Sequence, residues 1–172
     1  MTNKDQLIIS KVLQGNTNAY AELVNTYKDL VFSLALKMTK NREEAEEVSQ
    51  DTFIKAFKNL SKFKGDSKFS TWLYKITYHN CLDTFKINER NYKTESIEGN
   101  FSTHISSSDD VLESIEKKER SKLMKTCLDE LPEDERTIIW FFYYKELSLK
   151  EIVEITNFSE ANIKVKLYRA RK

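Results

Sequence analysis

Residues 41–51, NREEAEEVSQD, are followed at 63–80 by FKGDSKFSTWLYKITYHN, so an acidic helical pattern stands directly before a block of lysines and aromatic rings. Acidic side chains suit a basic protein partner. Lysines interleaved with rings suit unpaired nucleic acid, whose phosphates need cations and whose bases need flat surfaces. Working outward, only three glycines and one proline occur in 172 residues, so turns are few and helices long. Period-3.6 patterns place Leu7, Ile8 and Val12 on the inner side of a first helix. Tyr20, Leu23, Val24, Tyr27, Leu30, Val31 and Leu34 do the same for a second, running to about Lys40. Asn41 then caps a third helix with Glu43 and Glu44 at its positive end and Ala45, Val48, Phe53, Ala56, Phe57 and Leu60 inward. Lys64-Gly65-Asp66-Ser67 reads as a turn, and a fourth helix follows from about Ser70 to Glu89.

Net charge is +1, yet residues 55–90 carry eight Lys/Arg against three Asp/Glu, and residues 159–172 carry five against one. Local potential steers a polyanion, so the near-neutral total is no argument against nucleic acid. The longest apolar run, Ile138 to Tyr144, falls far short of the ~18 residues of a membrane span and reads as a buried helix. The amphipathic start has no signal-peptide stretch, which predicts a cytoplasmic protein without membrane insertion. Cys81 and Cys127 lie in no metal-binding spacing and read as reduced, partly buried thiols. No P-loop, dinucleotide fingerprint or cluster of His, Cys and carboxylates is present, so an enzyme is the weakest class and no cofactor is expected.

Residues 91–108 lack periodicity and are rich in Ser, Thr and Asn, which predicts a flexible linker; His104 stands there without an assigned role. Helical periodicity resumes from Asp109 to Leu131, and Pro132 with Glu133, Asp134 and Glu135 opens another helix. The expected fold is all-α, with two small helical domains at 1–90 and 109–172. Residues 147–172 have helix-turn-helix proportions: Leu149, Ile152, Val153, Phe158, Ile163 and Leu167 form a core, and Asn157 supplies a left-handed turn. Opposite Ile163 and Leu167 stand Ala161, Asn162, Val165, Tyr168 and Arg169, flanked by Lys164 and Lys166, a surface suited to a major groove.

Together the two halves resemble bacterial sigma factors of the sigma-70 family, of the small extracytoplasmic-function (ECF) type. Residues 45–57 look like that family's polymerase-binding helix, 63–76 like its promoter-melting loop and helix, and 131–171 like its region 4. The resemblance implies an initiation factor that docks on the clamp helices and flap of core RNA polymerase. It also implies capture of unpaired minus-10 bases, duplex reading of the minus-35 element, and an anti-sigma partner. Glu43, Glu47, Gln50, Asp51 and Ile54 share the face expected to meet the clamp. Lys64, Gly65, Asp66, Ser67 and Lys68 form the expected base-holding loop, with Lys75, Tyr78, His79, Asn80, Asp83 and Lys86 as minus-10 contacts. Phe69 and Trp72 are assigned to the core and Tyr78 to stacking. An asparagine is usual in the family where His79 stands. Asn162, Lys164, Val165, Lys166, Tyr168 and Arg169 are the minus-35 candidates. Two other classes remain: a helix-turn-helix regulator binding duplex operator unaided, which leaves 43–86 unexplained, and a helical adaptor, which leaves both basic patches unused.

Overall fold

The structure is a computed structural model that describes residues 3–92, 123–124, 126–128 and 130–171. His104, the expected 91–108 linker beyond its first two residues, and the expected 109–131 helix up to residue 122 lie outside the described residues. The described part is helical, with no strand among its residues.

Helix α1, Asn3–Leu13, buries Ile8, Ile9 and Val12. Leu7, expected inside, is 56% exposed, and Ile9 takes the inner position. Leu7 and Ile9 flank Ile8 at 100° on either side, and only the packing partner decides which of the two apolar residues joins Ile8 and Val12 inside. Helix α2, Tyr20–Thr39, lays Leu23, Val31, Leu34, Ala35 and Met38 along the core and stops at Lys40, in the left-handed region at φ 57°. The next helix begins at once. Asn41 Oδ1 accepts from the backbone N–H groups of Glu43 and Glu44 at 2.9 and 3.3 Å, satisfying two donors that helix α3, Arg42–Lys58, cannot satisfy itself. Its buried stripe is Ala45, Val48, Thr52 and Ala56, while Phe57, expected inward, is 41% exposed and lies edge-on to Tyr20.

Helix α4, Phe69–Tyr92, runs three residues beyond the expected end, so the expected boundary at 90 falls within it. One side packs on α2 and α3, and the other on the second half of the chain. Burial on two sides explains its mixture of inward Phe69, Thr71, Leu73, Tyr74, Thr77, Tyr78 and Cys81.

The second half holds helix α5, Glu133–Ile139, preceded by Pro132 with three acidic residues in the first turn. The chain then widens into a π-type turn over Trp140–Tyr144, closed by Lys145 N donating to Trp140 O at 3.1 Å. That turn corrects the reading of 138–144 as a buried helix. Ile138, Ile139 and Phe141 are inside, whereas Tyr143 and Tyr144 face solvent at 49% and 59% exposure. Helix α6, Leu149–Thr156, starts in a capping box between Ser148 and Glu151 and ends at Asn157, φ 62°. Helix α7, Glu160–Arg169, is capped by Ser159 Oγ and buries Ile163 and Leu167. The left-handed Asn157 and the six-residue core read from the sequence are in place, with Leu149, Val153 and Phe158 half-buried at its margin. Cys81 is buried, and its thiol is pushed up to about 12 by burial; Cys127 is exposed, against expectation.

One apolar core, built from Ile8, Val12, Leu23, Val31, Leu60, Phe69 and Leu73, belongs to α1–α4 alone. The larger one runs from Leu34, Met38 and Val48 through Tyr74 and Tyr78 to Ile138, Phe141, Ile152, Ile155 and Ile163. The helix-turn-helix therefore rests on α4 through a continuous apolar seam.

Candidate nucleic-acid and protein-binding surfaces

The capped α3 holds Glu43, Glu47, Gln50 and Asp51 outward, and Ile54, 51% exposed, ends that row. The opposite stripe of Ala45, Val48, Thr52 and Ala56 is buried, so the acidic face is fixed by the core rather than by its own charges. An acidic rim around one apolar anchor is what a basic helical partner needs.

Behind α3, the loop 63–68 turns at Gly65, whose φ of 80° favours glycine. Lys64, Asp66 and Lys68 are exposed on it. Its base is an aromatic platform: Phe63, Phe69 and Trp72 have ring centroids 5.1 to 5.5 Å apart, with Phe69 buried and Trp72 half-buried. Along α4, Lys75, His79, Asp83 and Lys86 form one row, with Asp83 and Lys86 paired at 3.7 Å.

Two minus-10 candidates on this helix are corrected. Tyr78 is 2% exposed, lies near Phe141 with centroids 6.5 Å apart, and its phenol is pushed up to about 12 by burial with help from Asp134 and Cys81. With the second half packed on α4, it has no open face for stacking. Asn80 is 6% exposed and bridges helices: Lys55 Nζ donates to its Oδ1 at 2.6 Å and its Nδ2 donates to Thr52 Oγ1 at 3.0 Å. It therefore ties the helix of the acidic face to the helix of the basic row. Replacing Asn80 with Leu strands a buried Thr52 hydroxyl, so urea unfolding should show a loss of about 1–3 kcal/mol. Asn80→Asp, which keeps acceptors for both partners, should lose clearly less.

On α7, Asn162, Lys164, Val165, Tyr168 and Arg169 are exposed on the outer face, with Lys164 paired to Glu160 at 2.7 Å. Lys166 is corrected: its side chain is 16% exposed, pairs with Asp134 and lies over the Phe158 ring. It fastens α7 to α5 and leaves the phosphate-facing side to its neighbours.

The structure also joins what the sequence kept apart. Glu151 Oε2 accepts from Ser148 N and Oγ at 2.9 and 2.8 Å, closing the α6 cap, while its Oε1 accepts from Lys68 Nζ at 2.9 Å and Thr71 Oγ1 at 3.4 Å. Asn157 Nδ2 lies 3.1 Å from His79 Nε2. Burial and the Lys75 ammonium lower the His79 pKa, favouring the neutral ring that accepts such a bond. Glu151 and Asn157 were missed as contact residues. The Ser-x-x-Glu cap was visible in the sequence, but a partner 83 positions away leaves no local signal.

Burial pushes the Glu151 carboxyl up, and its bonds to Lys68 and Ser148 outweigh that, leaving it at about 2. A depressed carboxylate means that the unfolded chain binds the extra proton. Its contribution is complete above the ordinary value of 4.5 and is lost as pH falls from there towards about 2. Thermal unfolding across that interval should show a steeper acid loss for the wild type than for Glu151→Gln.

Residues 23–91 match the family described as Sigma-70 region 2, and residues 121–172 match Sigma-70, region 4. The ECF RNA polymerase sigma factor SigW of Bacillus subtilis is 33% identical over 170 residues, covering 95% of this chain and 91% of that protein. The ECF RNA polymerase sigma-E factor of Haemophilus influenzae is 28% identical, covering 98% and 92%. Among solved structures, the sigma factor RpoE of Bartonella quintana, in complex with the anti-sigma factor NepR, superposes with a TM-score of 0.71 at 18% identity over 88% of this chain and 91% of that one. CnrH, solved with the cytosolic domain of CnrY, gives 0.64 at 20% identity over 97% and 92%. Both show the same all-helical fold. With its two sigma regions in order on one chain and a relative one-third identical along nearly all of it, this protein belongs to the sigma-70 family as an ECF sigma factor.

Proposed function

We propose that this chain binds core RNA polymerase through the acidic α3 face and confers promoter selectivity through two separate DNA contacts. The observation that carries the reading is the geometry around Asn41 and Asn80: a capped acidic helix fixed to the helix that bears the basic row and the Lys64–Lys68 loop. Docking α3 on the polymerase clamp sets the position of that loop, where Lys64, Gly65, Asp66, Ser67 and Lys68 receive a flipped minus-10 base. Lys75, His79, Asp83 and Lys86 follow the captured strand. Asn162, Lys164, Val165, Tyr168 and Arg169 read the minus-35 duplex, and region 4 rests on the polymerase flap. The protein performs no covalent step. Opening a base-pair step costs ~1.4 kcal/mol and holding one base returns ~1–3 kcal/mol, so strand capture assists melting without nucleotide hydrolysis.

The complex of RpoE with the anti-sigma factor NepR supports an anti-sigma partner for this chain as well. No described helix is long and apolar enough to cross a membrane, and polymerase places the site of action in the cytoplasm. Adding the protein to sigma-free core polymerase should produce transcription from a restricted set of genomic promoters, mapped by sequencing the transcripts. Absence of both polymerase binding and selectivity, with tight binding of the free protein to duplex operators, would establish the regulator reading instead.

A further inference from the structure

The lysines of the first half divide into those the fold uses and those it leaves to solvent. Lys55 is committed to Asn80 at 2.6 Å, Lys68 to Glu151 at 2.9 Å and Lys86 to Asp83 at 3.7 Å. Lys58 and Lys62 are exposed, and among the described residues neither ammonium group has an ion-pair or hydrogen-bond partner. Their backbone is firmly held all the same. Asn59 closes α3 with its backbone N–H and its Nδ2 both donating to Lys55 O, at 3.1 and 2.9 Å, and the chain passes at once into a 3-10 turn, Leu60–Lys62. Leu60, 1% exposed, pins that turn in the core, and Phe63 beyond it packs on Phe69 and Trp72. The segment that carries the two lysines therefore runs straight into the Lys64–Lys68 loop. Helical spacing also sets Lys58 on the side of α3 that bears Asp51 and Ile54. Lys58, Lys62 and Lys64 are three exposed like charges on one short rigid stretch, which repel one another and stabilise nothing in the fold.

We propose that Lys58 and Lys62 bind phosphates of the melted strand on the far side of the flipped base from α4, so that the strand is gripped on both sides of the base it gives up. This rests on the sigma-factor function proposed above. Lys75 and Lys86 hold one flank of the captured base, and Lys58 and Lys62 hold the other. Charge and continuity identify the occupant: a strand with one phosphate per nucleotide matches unpaired cations that begin where the base-holding loop ends. Asp51 and Asp66 are the exposed carboxylates flanking this segment, and neither neutralises it by an ion pair. A grip on both flanks means that the base cannot return to the stack without the loss of phosphate contacts, which prolongs the open state.

The test uses holoenzyme reconstituted from core polymerase and the full chain, with fluorescent, partly single-stranded probes copied from a promoter mapped as above. With the wild type, lengthening the unpaired strand by about four nucleotides at either end beyond the flipped base should tighten binding. The double variant Lys58→Gln, Lys62→Gln should lose the gain at one end only, by about tenfold at about 0.1 M salt, and Lys75→Gln, Lys86→Gln should lose it at the other end. The slope of log affinity against log salt should fall by about 1.4 for the first pair, at ~0.7 per phosphate contact on a single strand. Its affinity for core polymerase should stay within about twofold of the wild type, since neither lysine belongs to the acidic row. An unchanged salt slope, or equal losses at both ends, overturns the proposal. Weaker binding to core polymerase also overturns it, because the two lysines then belong to the protein interface. A wild-type chain that binds polymerase but gives a holoenzyme blind to the minus-10 probes removes the function proposed above, whereas a wild type that gains from both extensions while Lys58→Gln, Lys62→Gln keeps both gains removes this inference alone.

Discussion

Reversing Glu47 and Asp51 to lysine is expected to weaken binding to core RNA polymerase by about two orders of magnitude or more, because an attractive pair at each site becomes a like-charge contact. The two carboxylates stand one turn apart and both are exposed. Neither lies in the first turn of α3, so reversal spares the dipole interaction that Glu43 and Glu44 make there. The neighbouring Arg42–Glu46 pair is untouched, at 2.9 Å. Urea unfolding of the double variant should therefore match the wild type within about 0.5 kcal/mol, as for surface substitutions in general. Glu22→Lys, on an exposed turn of α2, serves as the charge control and should leave polymerase affinity nearly unchanged. The comparison is best made at two salt concentrations, since loss at the rim of a charged interface shrinks as ionic strength rises. Equal affinity of wild type and double variant would remove α3 as the docking face.

What could be read in advance divides along the range of the interactions. Asn41, Ser148 and Asn157 act within three or four residues of themselves, and each cap or turn expected or visible at them is present. The Ile163 and Leu167 stripe is equally local, since a helix with one partner has one buried side. Helix α4 has two. Its basic row is legible as Lys75, His79, Asp83 and Lys86, but Tyr78 and Asn80 stand one step to either side of His79. Their fate depends on Phe141 and on Thr52 and Lys55, which no local pattern announces. Lys166 fails for the same reason. Its basic side chain suits phosphate, yet Asp134, 32 residues earlier, holds it inward. The π-type turn after Ile139 is a further case: seven apolar residues in a row carry no signal for the wider turn that sends Tyr143 and Tyr144 to the surface.

Phe141→Ala is expected to be the most damaging single substitution in the second half of the chain, at about 3–5 kcal/mol. Its side chain is fully buried and packs against Tyr74 and Trp140, with centroids 5.4 and 5.5 Å away. Truncation opens a cavity where α4 and α5 meet, and the rings around it are too rigid to close it. The two tryptophans make the consequence separable, because Trp72 sits beside the loop platform and Trp140 beside Phe141. Observed one at a time, through Trp72→Phe and Trp140→Phe backgrounds, both should report one transition in urea while the seam is whole. With Phe141→Ala the Trp140 signal should move to lower urea and part from that of Trp72, whose surroundings keep the independent core of Leu23, Leu60 and Leu73. Tyr143→Ala removes a ring of similar size that is half exposed and stacked by Arg171, and should cost less than about 1 kcal/mol. Coincident Trp140 and Trp72 transitions in Phe141→Ala, shifted by under about 1 kcal/mol, would mean that α5 to α7 do not depend on this ring, and the continuous seam would not be what joins them to α4.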